Sequence, residues 1–335
     1  MNERYIIDKD GSAKVLKNQV KDETAQLVYM DPPYFTGRDF GDFDDNFESI
    51  SAYANDLLKP IFVESKRILK QSGTIVVHVE SKVSHYVRMA LDEVFGMKRF
   101  RNEIIWCSGG NKHAQKQLAR FHDVLLVYTK TAKSVFNPLY VPYSDDYMKA
   151  TKICKKTGKK YNTTAAHNSQ PDVNPRLNLR YEWNGHLKQW YVTKEEMQRR
   201  HDSGMLEYSK SGIPRFIKYV DKLPGVPIRD LWSDIDVDMS KIESGEISET
   251  GSVWTDVGQI QNGEKMAYAT QKPVKLLERI IQLYTNKGDL VVDPFAGSGT
   301  TGRAAAALHR EYLLIDINDK GRMLFNKSVN IDEID

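Results

Sequence analysis

A carboxylate and an aromatic ring flank two prolines in Asp31-Pro32-Pro33-Tyr34. The run before them, Leu27-Val28-Tyr29-Met30, is short and apolar, as a buried strand is. Proline lacks an N–H donor and fixes φ, so the strand cannot continue through Pro32 and Pro33. The acid and the ring are therefore held on a stiff turn at the strand's carboxyl end, where ligands bind in open α/β sheets. A carboxylate there can accept amine hydrogens, and a ring can stack on a flat substrate. Four such residues also occur in plain surface turns, so a second stretch has to decide.

That stretch is Val291-Val292-Asp293-Pro294-Phe295-Ala296-Gly297-Ser298-Gly299-Thr300-Thr301. An apolar strand enters a glycine-containing turn and then an alanine-rich helix, Arg303 to Leu308. Gly297 and Gly299 allow a sharp turn and close approach of backbone to ligand. A further strand, Tyr312-Leu313-Leu314-Ile315, ends in Asp316, at the spacing where a Rossmann-type unit sets a carboxylate on a ribose hydroxyl. No Gly-Lys-Ser/Thr follows the glycines, which excludes a P-loop, and the dinucleotide fingerprint is incomplete, which disfavours a nicotinamide cofactor. The pattern favours an adenosine-containing ligand.

Together, Asp31-Pro32-Pro33-Tyr34 and the Asp293 to Thr300 turn resemble the motifs of a DNA amino-methyltransferase that uses S-adenosylmethionine. The acid–proline motif precedes the glycine turn, which is similar to the permuted β group of that family. A third segment, Ala269-Thr270-Gln271-Lys272-Pro273, resembles the family's cofactor-side stretch before the glycine-rich strand. The resemblance spans nearly the whole chain. It implies an α/β, Rossmann-like methyltransferase fold: a seven-stranded, mostly parallel sheet with one antiparallel strand, plus an inserted target-recognition region.

The implied reaction is methylation of the exocyclic N6 of a flipped-out adenine by a site-specific enzyme. Asp31 and the carbonyl of Pro32 would accept the amine's hydrogens, Pro33 would stiffen the turn, and Tyr34 would stack on the base. The resemblance assigns the cofactor to Asp293, Pro294, Phe295, Gly297, Ser298, Gly299 and Thr300, with Asp31 alongside. Asp316 would hold the ribose, Gln271 and Lys272 would lie near the amino-acid end, and Asp10 and Gly11 would touch the adenine. Asp10 and Gly11 match loosely, and an ordinary helix cap is almost as good an account of Asp10-Gly11-Ser12.

The 335 residues suffice for one large domain with an insertion, and 40% hydrophobic content describes a soluble protein. No apolar run approaches membrane-spanning length, and the first residues lack a signal peptide's apolar core. Cys107 and Cys154, the two cysteines, fit a reducing cytosol, and no ligand spacing points to a metal. The net charge of +3 is uneven: residues 131–220 hold 16 Lys and Arg against 8 Asp and Glu. A basic insert on an acidic body suits nucleic acid, though basic faces are also simply solvated.

The coarse reading gives three segments. Residues 1–130 are the catalytic half, with strands at Arg4–Asp8, Thr74–Val79, Asn102–Trp106 and Asp123–Tyr128, and with Gly73 closing a helix that Ser49 caps and Pro60 kinks. Residues 131–250 break the β-α rhythm and are the insert. Residues 251–335 are the cofactor half. Candidate DNA contacts are Arg38 after the catalytic turn, and Lys112, His113, Lys116 and Arg120 in a polar loop. In the insert they are Lys155, Lys156, Lys159, Lys160, Arg176 and Arg215, interleaved with aromatics that suit phosphate contact and stacking or a small core of their own. Asp230-Leu231-Trp232-Ser233-Asp234-Ile235 is echoed by Ser252-Val253-Trp254-Thr255-Asp256-Val257 around an acidic linker.

By resemblance the partner is double-stranded DNA in a bacterial or phage-infected cytoplasm, on the nucleoid, which leaves room for a separately acting restriction endonuclease and for a homodimer. Cytosine-N4 methylation stays open: cytosine members more often carry Ser where this chain has Asp31, but that preference is statistical and does not decide. A non-catalytic DNA-binding subunit and an RNA substrate also stay open.

Overall fold

The computed structural model describes residues 5–37, 45, 47–107, 121–171, 173, 175–233 and 271–332, with side chains to 328. Arg38, Lys112, His113, Lys116 and Arg120 lie outside the described residues, as do Thr270, the acidic linker and the second tryptophan echo. The chain forms two compact units, 1–139 with 228–335, and 140–227. The division thus falls at 139/140 and 227/228, against the expected 130/131 and 250/251.

In the first unit, eight strands share one sheet: β1 (Tyr5–Ile7), β2 (Ala25–Met30), β3 (Leu69–Glu80), β4 (Phe100–Cys107), β5 (His122–Thr129), β6 (Leu231–Ser233), β7 (Leu290–Asp293) and β8 (Glu311–Asp316). Their order is β1-β8-β7-β2-β3-β5-β4-β6. Only β5 runs against the rest, pairing antiparallel with β3 and β4. The expected sheet of seven with one reversed strand is present, and β6 adds a short eighth at the edge. That edge strand carries the first tryptophan echo: Trp232 is buried, and its Nε1 donates to the Arg229 carbonyl at 2.8 Å.

The helices are α1 (Ser12–Gln19), α2 (Lys59–Ile68), α3 (Ser84–Phe95), α4 (Val274–Tyr284), α5 (Thr300–Ala307) and α6 (Asp319–Asp332). Every residue of β2 is buried, so its apolar run serves both faces of the sheet, as a central parallel strand must. Val28 and Met30 join a core with Leu16 of α1, Phe62 of α2 and Leu91 of α3. The alternate residues Leu27 and Tyr29 point the other way, and α4 packs beside β2 and α5. The chain leaves β2 towards β3 and leaves β7 towards β8, on opposite sides. The β2/β7 pair is therefore a switch point, and a crevice opens at its carboxyl ends.

Two local expectations need correction. Ser49 caps its helix as expected, accepting from the Ala52 amide at 3.0 Å. The helix then widens to a π-turn over Tyr53–Leu58 before α2 begins, and Pro60 falls in the first turn of α2. The wider turn relieves the clash a proline ring makes with the carbonyl four residues back. Gly73 does not close the helix. α2 ends at Ile68, and Gly73 lies inside β3, where the register against β2 slips between Leu69 and Thr74. A glycine in a strand interior marks such a bulge.

The second unit pairs Leu206–Tyr208, Pro214–Tyr219, Lys160–Ala165 and Lys152–Ile153 in a four-stranded sheet. Trp183, Trp190, Met197 and Phe216 make its own small core, one of the two roles open to the insert's aromatics. Thr193 caps the helix Lys194–Asp202 by accepting from the Glu196 amide at 3.3 Å.

Helix α6 approaches the glycine turn so closely that a Cβ on Gly321 would stand 1.7 Å from the Gly297 carbonyl oxygen and 2.6 Å from Tyr5 Oη. Gly321→Ala should lower stability by about 1–3 kcal/mol or more, through forced separation of α6 from the turn. Thermal unfolding reads this directly, and an unchanged melting temperature would contradict the close approach.

Candidate functional site

The switch-point crevice is a cavity of about 270 Å³. Both sequence-derived turns line it: Asp31, Pro32, Pro33 and Tyr34 from the end of β2, and Asp293 to Ser298 with Thr300 from the end of β7. Gln271, Lys272, Gly11 and Asp316 line it too. Asp10 does not: its carboxylate pairs with Lys14 on the exposed surface, and Ser12 takes its place on the wall. The helix-cap account of Asp10 fails as well, since α1 has Gly11 at its cap position and no side-chain cap bond. Gly299 also stays off the wall. It starts α5 with φ +77°, and a Cβ there would meet the Phe325 ring at 2.5 Å.

The turn after β7 is tied down at each residue. Asp293 accepts from the Phe295 amide at 2.9 Å and from Thr301 Oγ1 at 2.5 Å. Asp316 accepts from the amides of Gly297 at 2.7 Å and Asn318 at 2.9 Å. Ser12 Oγ donates to the Pro294 carbonyl, and Tyr5 Oη donates to the Gly297 carbonyl at 2.6 Å. Sequence reasoning missed Tyr5, Ser12 and Thr301. Only Thr301, in the first turn of α5 and close in sequence to the glycine turn, carried a local signal.

Burial pushes the Asp293 carboxyl up to about 7, with Asp31 and Asp316 adding repulsion against the two hydrogen bonds. Burial likewise raises Asp316, against the amides that hold it. Desolvated carboxyls of this kind are stabilised by a cation brought into the cavity.

The turn after β2 is equally determined. Tyr34 Oη donates to Asp31 Oδ1 at 2.7 Å. Burial and then the charge of Asp31 hold that phenol well above its ordinary range, so it remains a donor. Lys272 Nζ lies 2.8 Å from Asp31 Oδ2 and 4.9 Å from the centre of the Tyr34 ring. Phe35 sits at φ +56°, a conformation that costs a non-glycine residue energy. Asp45 compensates: its carboxylate, 1% exposed, accepts from the Phe35 amide (2.7 Å), the Thr36 amide (2.8 Å) and Thr36 Oγ1 (2.5 Å). Phe47 and Tyr53 pack on the Phe35 ring.

Behind the turn, Tyr29 Oη meets His78 Nδ1 at 3.0 Å, and His78 Nε2 meets Asp123 Oδ2 at 3.4 Å. Burial raises the Asp123 carboxyl, but His78 and then Lys272 outweigh it and hold it below the ordinary range. Nothing in the spacing of Asp45, His78 or Asp123 marks them in sequence, since each acts across strands or loops.

In the second unit, Lys155, Lys156 and Arg176 are exposed. Lys159 is paired with Asp221 at 2.5 Å, and Lys160 Nζ lies 3.5 Å from the Met148 carbonyl. Arg215 is turned to its neighbour strand, donating to Thr163 Oγ1 at 2.9 Å and to the Thr163 carbonyl at 3.0 Å. It is the least available of the six. Among the described residues, no group of His, Cys, Asp and Glu could hold a metal ion, and no helix is long and apolar enough to cross a membrane.

The model of one protein family, described as DNA methylase, matches residues 25–326. The chain is 30% identical over 321 residues to the type II methyltransferase M.EcaI of Enterobacter cloacae, covering 92% of this chain and 65% of that protein. It is 24% identical over 324 residues to the DNA adenine methyltransferase YhdJ of Escherichia coli strain K12, covering 95% and 79%. Among solved structures, PvuII DNA methyltransferase (cytosine-N4-specific) superposes with a TM-score of 0.50 at 15% identity, covering 98% of this chain and 93% of that one. That likeness bears on the fold, which is the Rossmann-like methyltransferase fold.

A folded carboxyl raised to about 7 binds its proton more tightly than the unfolded chain does. Its contribution to stability is therefore full below the ordinary carboxylate range, declines as pH rises, and is gone above about 7. Asp293→Asn keeps both bonds, accepting from Phe295 and donating to Thr301, and carries no charge. Its melting temperature should gain on the wild type between pH 5 and pH 8. A difference constant across that range would mean that Asp293 is ionised throughout.

Proposed function

Because the chain belongs to the DNA methylase family, we propose that it transfers the methyl group of S-adenosylmethionine to the exocyclic N6 of an adenine flipped out of DNA. One observation carries this reading: the Asp31/Tyr34 turn and the Asp293/Gly297 turn open into a single cavity. The name of YhdJ supports adenine as the target base.

The residues fit the cofactor. Two carboxyls raised by burial, Asp293 and Asp316, suit a ligand that carries a positive sulfonium. Asp316 would hold the ribose hydroxyls. The turn from Phe295 to Ser298, with Thr300, would line the nucleoside. Gly11 would face the adenine, and Gln271 the amino-acid end. When bound, the cofactor supplies an electrophilic methyl on sulfur.

The chain's own residues make the amine receptive. Its lone pair is delocalised into the purine ring, which makes it a weak nucleophile. Asp31 and the Pro32 carbonyl accept its two hydrogens and turn the lone pair out of the ring plane, which is positioning joined to electrostatic stabilisation. Asp31 need not be a strong base, because the amine proton becomes acidic as the N–C bond forms. Extracting the base from the duplex costs a few kcal/mol. Stacking on Tyr34 offsets part of that, at about 1–3 kcal/mol per base. Residues 140–227 would read the DNA sequence, with the exposed Lys155 and Lys156 on phosphates.

Methyl-labelled cofactor, DNA and enzyme, followed by digestion to nucleosides, test the reaction. Label is expected on N6-methyl-2′-deoxyadenosine and should nearly vanish with Asp31→Ala, while Tyr34→Phe is milder than Tyr34→Ala. Label on N4-methylcytosine would overturn the adenine assignment alone. Label on C5 of cytosine would overturn the mechanism, since that chemistry attacks the ring covalently.

The DNA path is tested separately. Lys155→Gln with Lys156→Gln should weaken binding to all sequences alike and reduce the slope of log affinity on log salt by about 0.9 per lost contact. An unaltered slope would leave these lysines as a solvated face.

A further inference from the structure

Four aspartates line the cavity: Asp31, Asp45, Asp293 and Asp316. Against them stands one basic side chain among the described lining residues, Lys272. The family resemblance points this lysine towards the amino-acid end of the cofactor. Its observed position is different. The ammonium contacts Asp31 Oδ2 at 2.8 Å, over the face of the Tyr34 ring. The side chains of Lys272 and Asp31 are only 13% and 16% exposed. Its charge also reaches Asp123 behind the turn. Lys272 thus faces the acceptor side of the cavity.

Local sequence explains why it stays there. The residue before a proline is confined to extended backbone, and Pro273 follows and leads into α4. The lysine stem therefore leaves a restricted backbone position directly before α4, whose own side chains are mostly buried.

We infer that Lys272 is a positioning residue for the methyl-accepting site: it acts through Asp31, fixing the plane of the carboxylate and keeping it an acceptor. The inference rests on the amino-methyltransferase reading. Tyr34 Oη engages Oδ1 and Lys272 Nζ engages Oδ2, so two contacts on opposite oxygens set the carboxylate's orientation. Each oxygen keeps a second lone pair for an amine hydrogen. Without the ammonium, a nearly buried carboxylate would lose its counter-charge and one of the two contacts that set its plane.

The test separates binding from transfer. Lys272→Met and Lys272→Gln both remove the charge, the second retaining a hydrogen-bonding tip. Affinity for S-adenosylmethionine is measured by calorimetry, and transfer by single-turnover rate at saturating cofactor and DNA. The rate should fall about tenfold or more while cofactor affinity changes by less than about threefold. In an Asp31→Asn background, the further loss from Lys272→Met should shrink to about twofold or less, because the group it acts through is gone. Weakened cofactor binding with the saturating rate retained would overturn the inference and return Lys272 to the cofactor's amino-acid end. Losses that simply multiply in the double variant would overturn it too. A wild-type chain that transfers no methyl would sink the reading of the site and this inference with it. A transferring wild type with the reverse split sinks only the role of Lys272.

Discussion

The site exists because β7 pairs with β2 in parallel, with Val291 beside Leu27 and Val292 beside Val28. This pairing closes a very long loop, and a flexible loop's closure costs entropy that grows only with the logarithm of its length. Buried apolar side chains on both faces offset it: Leu27, Val28, Val291 and Val292 are all fully buried. Once the strands are paired, the first residues past each carboxyl end are neighbours. Each strand meets an aspartate followed by proline, Asp293-Pro294 at the end of β7 and Asp31-Pro32 just past β2, and both acids line one crevice.

Placing acids together in a buried crevice is costly, and the molecule meets that cost differently at each position. Asp45 is satisfied by two amides and a hydroxyl, and in return holds Phe35 in a strained conformation. Asp31 has a phenol and an ammonium. Asp293 and Asp316 have amides and one hydroxyl but no cation within bonding reach among the described contacts, and burial raises both carboxyls. The side of the cavity facing β7 is therefore the side poised for a positively charged ligand. The side facing β2 already has its counter-charge. On the proposed reading, this asymmetry would divide the crevice into a cofactor half and an acceptor half.

Much of this was legible in the chain. The apolar runs of β2, β7 and β8, the proline stops and the glycine turn marked the core strands and both turns that line the cavity, because each is a local pattern with a steric cause. The helix from Val274 to Tyr284 was equally plain from its periodicity. What escaped is non-local. Tyr5 and Ser12 reach the glycine turn from the far end of the sequence, and Asp45 acts only because a loop folds back on the turn it stabilises. Asp10 misled because its neighbour Lys14, one helical turn on, offers a nearer partner than any ligand. Gly73 misled because a crowded bulge also calls for glycine: a Cβ there would meet Leu69 Cδ2 at 2.8 Å and the Lys70 carbonyl oxygen at 2.9 Å.

The central claim is that the paired turns hold a flipped adenine against a methyl donor. DNA sequenced with modification detection, from cells that lack methyltransferases of their own and express this chain, addresses it most directly. The account predicts N6-methyladenine at one short recurring sequence, absent when the expressed chain carries Asp31→Ala. Unmodified DNA from cells containing folded wild-type protein, or marks that persist in the Asp31→Ala cells, would contradict it.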